Sequence, residues 1–257
     1  MIPPREPATA GNENTGLLKA IALVCMVVDH VGFVFLPQCR EMRVIGRIAF
    51  PLFAWCAVVG CCHTRDIWRY ALRLLVAAIL SQPFFLLGLP LEELNVVFTL
   101  TLSVLAVAGI REKRWGSQMW APALALLFSC AVKTEYGWKG VLLILILYGC
   151  RRSRSALAAG MTAFCLFWAQ GTFTVTSFLG VPAVLSLPFL PETGNLLTTV
   201  AMAQFWGILA LPLILLPMKE RLPLSKWVFY LAYPGHLLIL ALLRWGSGIG
   251  ERLMHLL

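Results

Sequence analysis

The sequence predicts an all-α, polytopic transmembrane helical bundle. Sixty per cent of its 257 residues are hydrophobic and only 13% are charged, against roughly half and about a quarter in soluble domains. The apolar residues also stand in long blocks, among them Leu74–Leu91, Val96–Ile110 and Leu196–Pro217. Blocks of that length, cut by short charged tags, read as transmembrane helices. A soluble enzyme, a nucleic-acid module and a disordered chain are excluded on these grounds, and no nucleic-acid partner is expected. The net charge of +9 is then to be read by its distribution between two membrane faces.

The segments follow one another from tag to tag. Met1–Thr15 is a polar cytoplasmic N-terminal segment, and no signal-type cleavage site follows the first apolar run, so segment 16–37 is kept as a helix. Segment 48–64 opens after Gly46-Arg47 and closes before Arg65. Segment 71–90 follows Arg65 and Arg69, is broken by Ser81-Gln82-Pro83, and stops at Glu92-Glu93. Segment 95–110 opens at Asn95 and closes at Arg111, Lys113 and Arg114. Segments 118–133 and 138–150 flank Glu135-Tyr136-Gly137, and the second ends at Arg151-Arg152. Segments 156–173, 195–217 and 226–245 complete a single integral-membrane domain of about nine spans.

Alternate tags carry the positive charge. Those after the second, fourth, sixth and eighth segments, with Arg5 and Lys19, hold 14 of the 21 Lys and Arg residues. That bias places the N-terminus in the cytoplasm of a multi-pass protein. The stretch 171–194 contains Pro182, Pro188 and Pro191 and reads as a re-entrant or interfacial element, or as a tenth span. A tenth span would put Lys219 and Arg221 on the poorer face, so nine is expected. The eight cysteines match no zinc or disulfide spacing and no metal site is expected. Cys61-Cys62 admits acylation at a membrane edge as an alternative to burial.

Ionisable groups within a span cost several kcal/mol unless partnered, so they mark function first. Asp29-His30 lies two thirds along the first segment and Arg47 opens the second. Asn95 opens the fourth, Glu135-Tyr136 precedes the sixth, and Tyr233-Pro234-Gly235-His236 lies inside the ninth. Two intramembrane histidines among only four suggest proton chemistry. The competing reading is an Asp29–Arg47 or His–Asp pair that fixes packing. Lys19 precedes His30 by eleven residues, which returns to within about 20° of one helix face and spans about 16 Å. A ligand with phosphates at the surface and a reactive group on a thin arm, such as coenzyme A, fits that spacing. Simple snorkelling of Lys19 fits it too.

Taken in order, Leu18-Lys19 to Asp29-His30, Gly46-Arg47 to Phe53, Asn95 to Thr99, Tyr136-Gly137 to Gly140 and Phe229-Tyr230 to His236-Leu237 resemble the TraX family. That family is named for the F-type conjugation protein that acetylates the N-terminus of pilin. More distantly, the chain is similar to integral-membrane O-acyltransferases. These carry an arginine ten intervening residues before a first-helix histidine, and an aromatic-x-x-His motif in a late helix. Lys19 stands where that arginine would be, and a lysine lacks its bidentate fork.

The resemblance implies a bacterial inner-membrane acetyltransferase with cytoplasmic acetyl-CoA as donor. The acceptor it implies is a pilin N-terminus, or another membrane-associated group such as a glycan or lipid hydroxyl. It makes His30 the general base, with Asp29 orienting or charge-tuning it and Lys19 on CoA phosphate. Arg47 would bind phosphate or acceptor, and His236 and Tyr233 the reacting groups. Asn95, Tyr136 and Glu135 are supporting positions. Direct transfer and an acyl-histidine intermediate both fit. The alternatives are a proton-coupled transporter using Asp29 and His30, and a non-catalytic pilin assembly factor.

Overall fold

The computed structural model of the chain describes residues 9–169, 177–178, 181–182, 203–216, 218 and 226–246. Their architecture is a helical bundle: α1 Thr15–Phe35, α2 Arg40–Gly46, α3 Ala49–His63, α4 Ile67–Gly88, α5 Val96–Glu112, α6 Ser117–Ala131, α7 Gly137–Cys150 and α8 Arg154–Ala169. A 3₁₀ stretch Ala203–Leu209 then runs into α9, Ala210–Leu215, and α10 spans Lys226–Gly246. The expected segments fall on these helices to within a few residues, the eighth only over 203–215. The expected element at 171–194 lies outside the described residues, apart from an antiparallel pairing of Ser177–Phe178 with Val181–Pro182.

Among the described residues, four stretches are long and apolar enough to cross a membrane: Thr15–Phe35, Arg40–His63, Ile67–Gly88 and Val228–Gly246. Gly137–Cys150, Arg154–Ala169 and Ala203–Leu215 are shorter apolar helices. The second stretch extends the expected segment 48–64 toward the N-terminus, because residues 40–46, outside the nine expected spans, form α2. There α2 leads into α3 with a break at Arg47-Ile48. Pro51 has no N–H for the Arg47 carbonyl, which accounts for the break. A correction to the sequence reading concerns Ser81-Gln82-Pro83, because α4 runs straight through Pro83. A helix in apolar surroundings tolerates a proline whose freed carbonyl is re-satisfied or packed nearby.

Side-chain caps fix where several helices begin. Asn14 Oδ1 accepts from Leu17 N at 3.3 Å ahead of α1. Asp66 Oδ1 accepts from Arg69 N at 3.0 Å ahead of α4, and Asn95 Oδ1 from Val97 N at 3.0 Å ahead of α5. At the centre, α3 buries Phe50, Leu52 and Trp55 together with Cys61 and Cys62. Burial of that cysteine pair removes it from any acylating reagent at the membrane edge. By contrast α4 and α10 expose Leu72, Ile79, Leu80, Leu231, Ile239 and Leu242. Such apolar surface is stable against lipid and costly against water.

One end of the bundle is tied by the N-terminal segment. Asn12 N donates to Ile214 O at 2.6 Å and Ala10 N to Arg151 O at 2.8 Å. Trp55 Nε1 donates to Asn12 O at 2.8 Å, and Glu13 meets His63 at 3.3 Å. The ends of α3, α7 and α9 therefore share the end at which α1 begins. Toward the opposite end α2 folds back on α1. A Cβ at Gly46 would lie 2.1 Å from Asp29 Oδ1, so only glycine admits this approach. Gly46→Ala is expected to cost about 1–3 kcal/mol through overpacking, measured as a lower melting temperature in detergent.

Candidate functional site

The first-helix and late-helix histidines meet in the buried interior. His236 Nδ1 lies 3.1 Å from Ala232 O, and His236 Nε2 lies 3.1 Å from His30 Nδ1. A carbonyl only accepts, so His236 Nδ1 carries a proton, and in the neutral ring Nε2 is left as acceptor. His30 Nδ1 must then donate to it, which leaves the lone pair of neutral His30 on Nε2. The two rings lie nearly parallel at 18°, with centroids 5.2 Å apart. Tyr233, one turn before His236, packs on it at 5.5 Å.

His30 lines a cavity of about 370 Å³ with Asp29, Arg43, Arg47, Glu93, Glu135, Tyr136 and Gln204, walled by Phe33 and Trp168. Asp29 does not bond His30 here. Its carboxylate accepts from Arg43 Nη1 at 2.7 Å and from Arg47 Nη2 at 3.2 Å. Arg47 is held further by Gln204 Oε1 at 3.1 Å and the Arg43 carbonyl at 3.0 Å. Arg43 also sits 4.7 Å over the Phe33 ring.

Glu135 belongs to the segment between α6 and α7. Its Oε2 accepts from Val96 N at 3.0 Å, and Thr99 Oγ1 donates to its carbonyl at 2.5 Å. Burial, reinforced by the Glu93 and Asp29 carboxylates, pushes its carboxyl up to about 8. Glu135 is therefore mostly neutral at pH 7, and the two arginines share the cavity with the Asp29 and Glu93 carboxylates. Tyr136 adopts φ +68° and stacks on Phe50 at 4.0 Å.

Lys19 lines a different cavity, of about 140 Å³. Leu23 and Met26 share it from α1, Tyr70 and Leu74 from α4, Val96 and Val97 from α5, and Phe229, Tyr230 and Tyr233 from α10. Positions 19, 23, 26 and 30 form one stripe of α1. The stripe thus runs from the Lys19 cavity to the His30 cavity, with Tyr233 lining the first and His236 bonded to His30. Asn95 has a different role. Its Nδ2 donates to Ala78 O and Gln82 Oε1, both at 2.9 Å, and Gln82 Oε1 also accepts from Asn95 N at 2.9 Å. This clasp joins α4 to the start of α5.

A family model described as TraX protein matches residues 14–244. The chain belongs to the TraX family. Among curated relatives it is 27% identical to a probable fimbrial assembly protein FimC, serogroup H1, of Dichelobacter nodosus, over 87% of this chain and 92% of that one. It is 29% identical to Protein TraX of Escherichia coli over 51% of this chain and 54% of that protein. With the K12-strain TraX the identity is 28%, over 58% and 61% respectively. The chain thus aligns with little more than half the length of these two TraX proteins. No solved structure matches it.

Among the residues around the site, sequence reasoning passed over Arg43, Glu93, Trp168 and Gln204. Arg43 and Arg47 are four apart and share a helix face, a signal that emerges only because 40–46 is helical. Gln204 lies in a segment whose polar residues carried no recognisable spacing.

Proposed function

We propose that this TraX-family chain is a multi-pass acetyltransferase of the bacterial inner membrane, moving an acetyl group from cytoplasmic acetyl-CoA to an acceptor at or across the membrane. A pilin N-terminus is the leading acceptor. The observation that carries this reading is the buried His30–His236 pair, whose bonding reserves His30 Nε2 as a base beside a cavity. The positive-inside bias puts the N-terminal end of the bundle in the cytoplasm. On that orientation the Lys19 cavity faces the acetyl-CoA pool and the His30 cavity faces the acceptor.

In direct transfer the acceptor N–H or O–H gives its proton to His30 Nε2 while its lone pair attacks the thioester carbonyl carbon. The C=O π pair moves to oxygen, then re-forms the carbonyl as the C–S bond breaks. The departing thiolate takes the proton back from His30. Lys19 supplies a cation for a CoA phosphate, and Arg43 and Arg47 shape the acceptor end.

Acetyl-CoA binding to the purified protein in detergent tests this. Wild type is expected to bind, and Lys19→Ala to bind about tenfold more weakly through loss of a charge-assisted contact. The fimbrial assembly name of one relative favours a second reading, a non-catalytic assembly factor. Absence of binding by folded wild type would move the assignment there.

A further inference from the structure

The Tyr233 hydroxyl is sealed from solvent and has no hydrogen-bond partner among the described residues. A buried hydroxyl left unpaired is destabilising, and native proteins retain few such groups. This one belongs to a ring that lines the Lys19 cavity and packs against His236, which in turn bonds His30. It therefore stands where the cavity reached from Lys19 approaches the base. Leu23, Met26, Val96 and Val97 line the same cavity and carry no acceptor side chain, and the Val96 N–H that faces the hydroxyl is already given to Glu135 Oε2 at 3.0 Å, so the phenol proton is left for an oxygen that a ligand brings.

We infer that the Tyr233 hydroxyl is the donor that holds the acyl carbonyl oxygen of the thioester, and stabilises that oxygen as it becomes an oxyanion. The inference rests on the acetyltransferase reading and gives Tyr233 one defined task in it. As the acceptor adds to the carbonyl carbon, the π pair moves onto oxygen and is met by Tyr233 Oη–H. No proton needs to leave the phenol: the acceptor's proton goes to His30, and collapse returns the pair to the C=O bond as the thiolate departs. A preorganised donor in a dry site acts without reorganising during the reaction. Lys19 and His30 thus bracket the ligand while Tyr233 marks its reacting carbonyl.

The test uses full-length protein in detergent, wild type and Tyr233→Phe, with acetyl-CoA carrying ¹³C at the acetyl carbonyl. Infrared difference spectra are expected to show the bound carbonyl band at lower wavenumber in wild type and near its free position in Tyr233→Phe. Acetyl transfer to a synthetic peptide with a free N-terminal amine is expected to fall about a hundredfold in kcat, with KM for acetyl-CoA within about threefold. The melting temperature of Tyr233→Phe should equal or exceed that of wild type, because the change removes an unpaired polar group. A band unchanged between the two proteins while both bind acetyl-CoA would overturn the inference and leave the acetyltransferase reading standing. Failure of folded wild type to bind acetyl-CoA would overturn both.

Discussion

Replacing His30 with alanine is expected to lower acetyl transfer by about 10²–10⁴-fold while leaving acetyl-CoA binding within a few-fold of wild type. The size is that of a lost general base, and the separation from binding follows from the layout. His30 lines the cavity with Asp29, Arg43 and Arg47, whereas the cation available for phosphate lines the other cavity. The hydrogen-bond chain from Ala232 O through His236 to His30 predicts a graded response. His236→Gln retains an acceptor for His30 Nδ1 and should keep more activity than His236→Leu, which leaves that N–H facing carbon. Single-turnover rates with a free-amine peptide, beside acetyl-CoA affinities, check both. Equal activity in His30→Ala and wild type would remove the proposed base, and a parallel collapse of binding would make His30 a ligand contact instead.

Much of the helix order was legible because apolar blocks bounded by Arg and Lys tags are long, and a membrane tolerates few other structures. The same apolarity hid the rest. A helix that is hydrophobic on every side carries no sign of its neighbours, so the meeting of His30 with His236 across the bundle had no local signature. Only the cost of burying ionisable groups singled them out. The seven-residue α2 was missed since its arginines resemble a charged loop, and with it went the Arg43 contact to Asp29. Gln82 was overshadowed by Pro83, although its side chain clasps Asn95. Asn95 itself, flagged as a site position, is engaged in that clasp. The unpaired state of the Tyr233 hydroxyl depends on what surrounds it in space, which spacing does not encode.

Asp29→Ala is expected to destabilise the protein by about 3–5 kcal/mol, the cost of removing one partner from a buried charge cluster. The carboxylate side chain is only 10% exposed, and the Arg43 and Arg47 side chains that it holds are 24% and 14% exposed. Without it two guanidinium groups repel each other at the edge of an apolar bundle. Asp29→Asn keeps the shape but not the charge, and should lose nearly as much. Adding Arg47→Met to Asp29→Ala removes one stranded cation and should restore part of the loss, a coupling that a double-mutant cycle reads directly. Melting temperatures in detergent, set beside acetyl transfer per folded molecule, distinguish two roles for this residue. Because Asp29 bonds the arginines, the structural role predicts a large fall in stability with a smaller catalytic loss than in His30→Ala. A catalytic loss equal to that of His30→Ala, with stability unchanged, would instead make Asp29 the group that charges and orients the histidine.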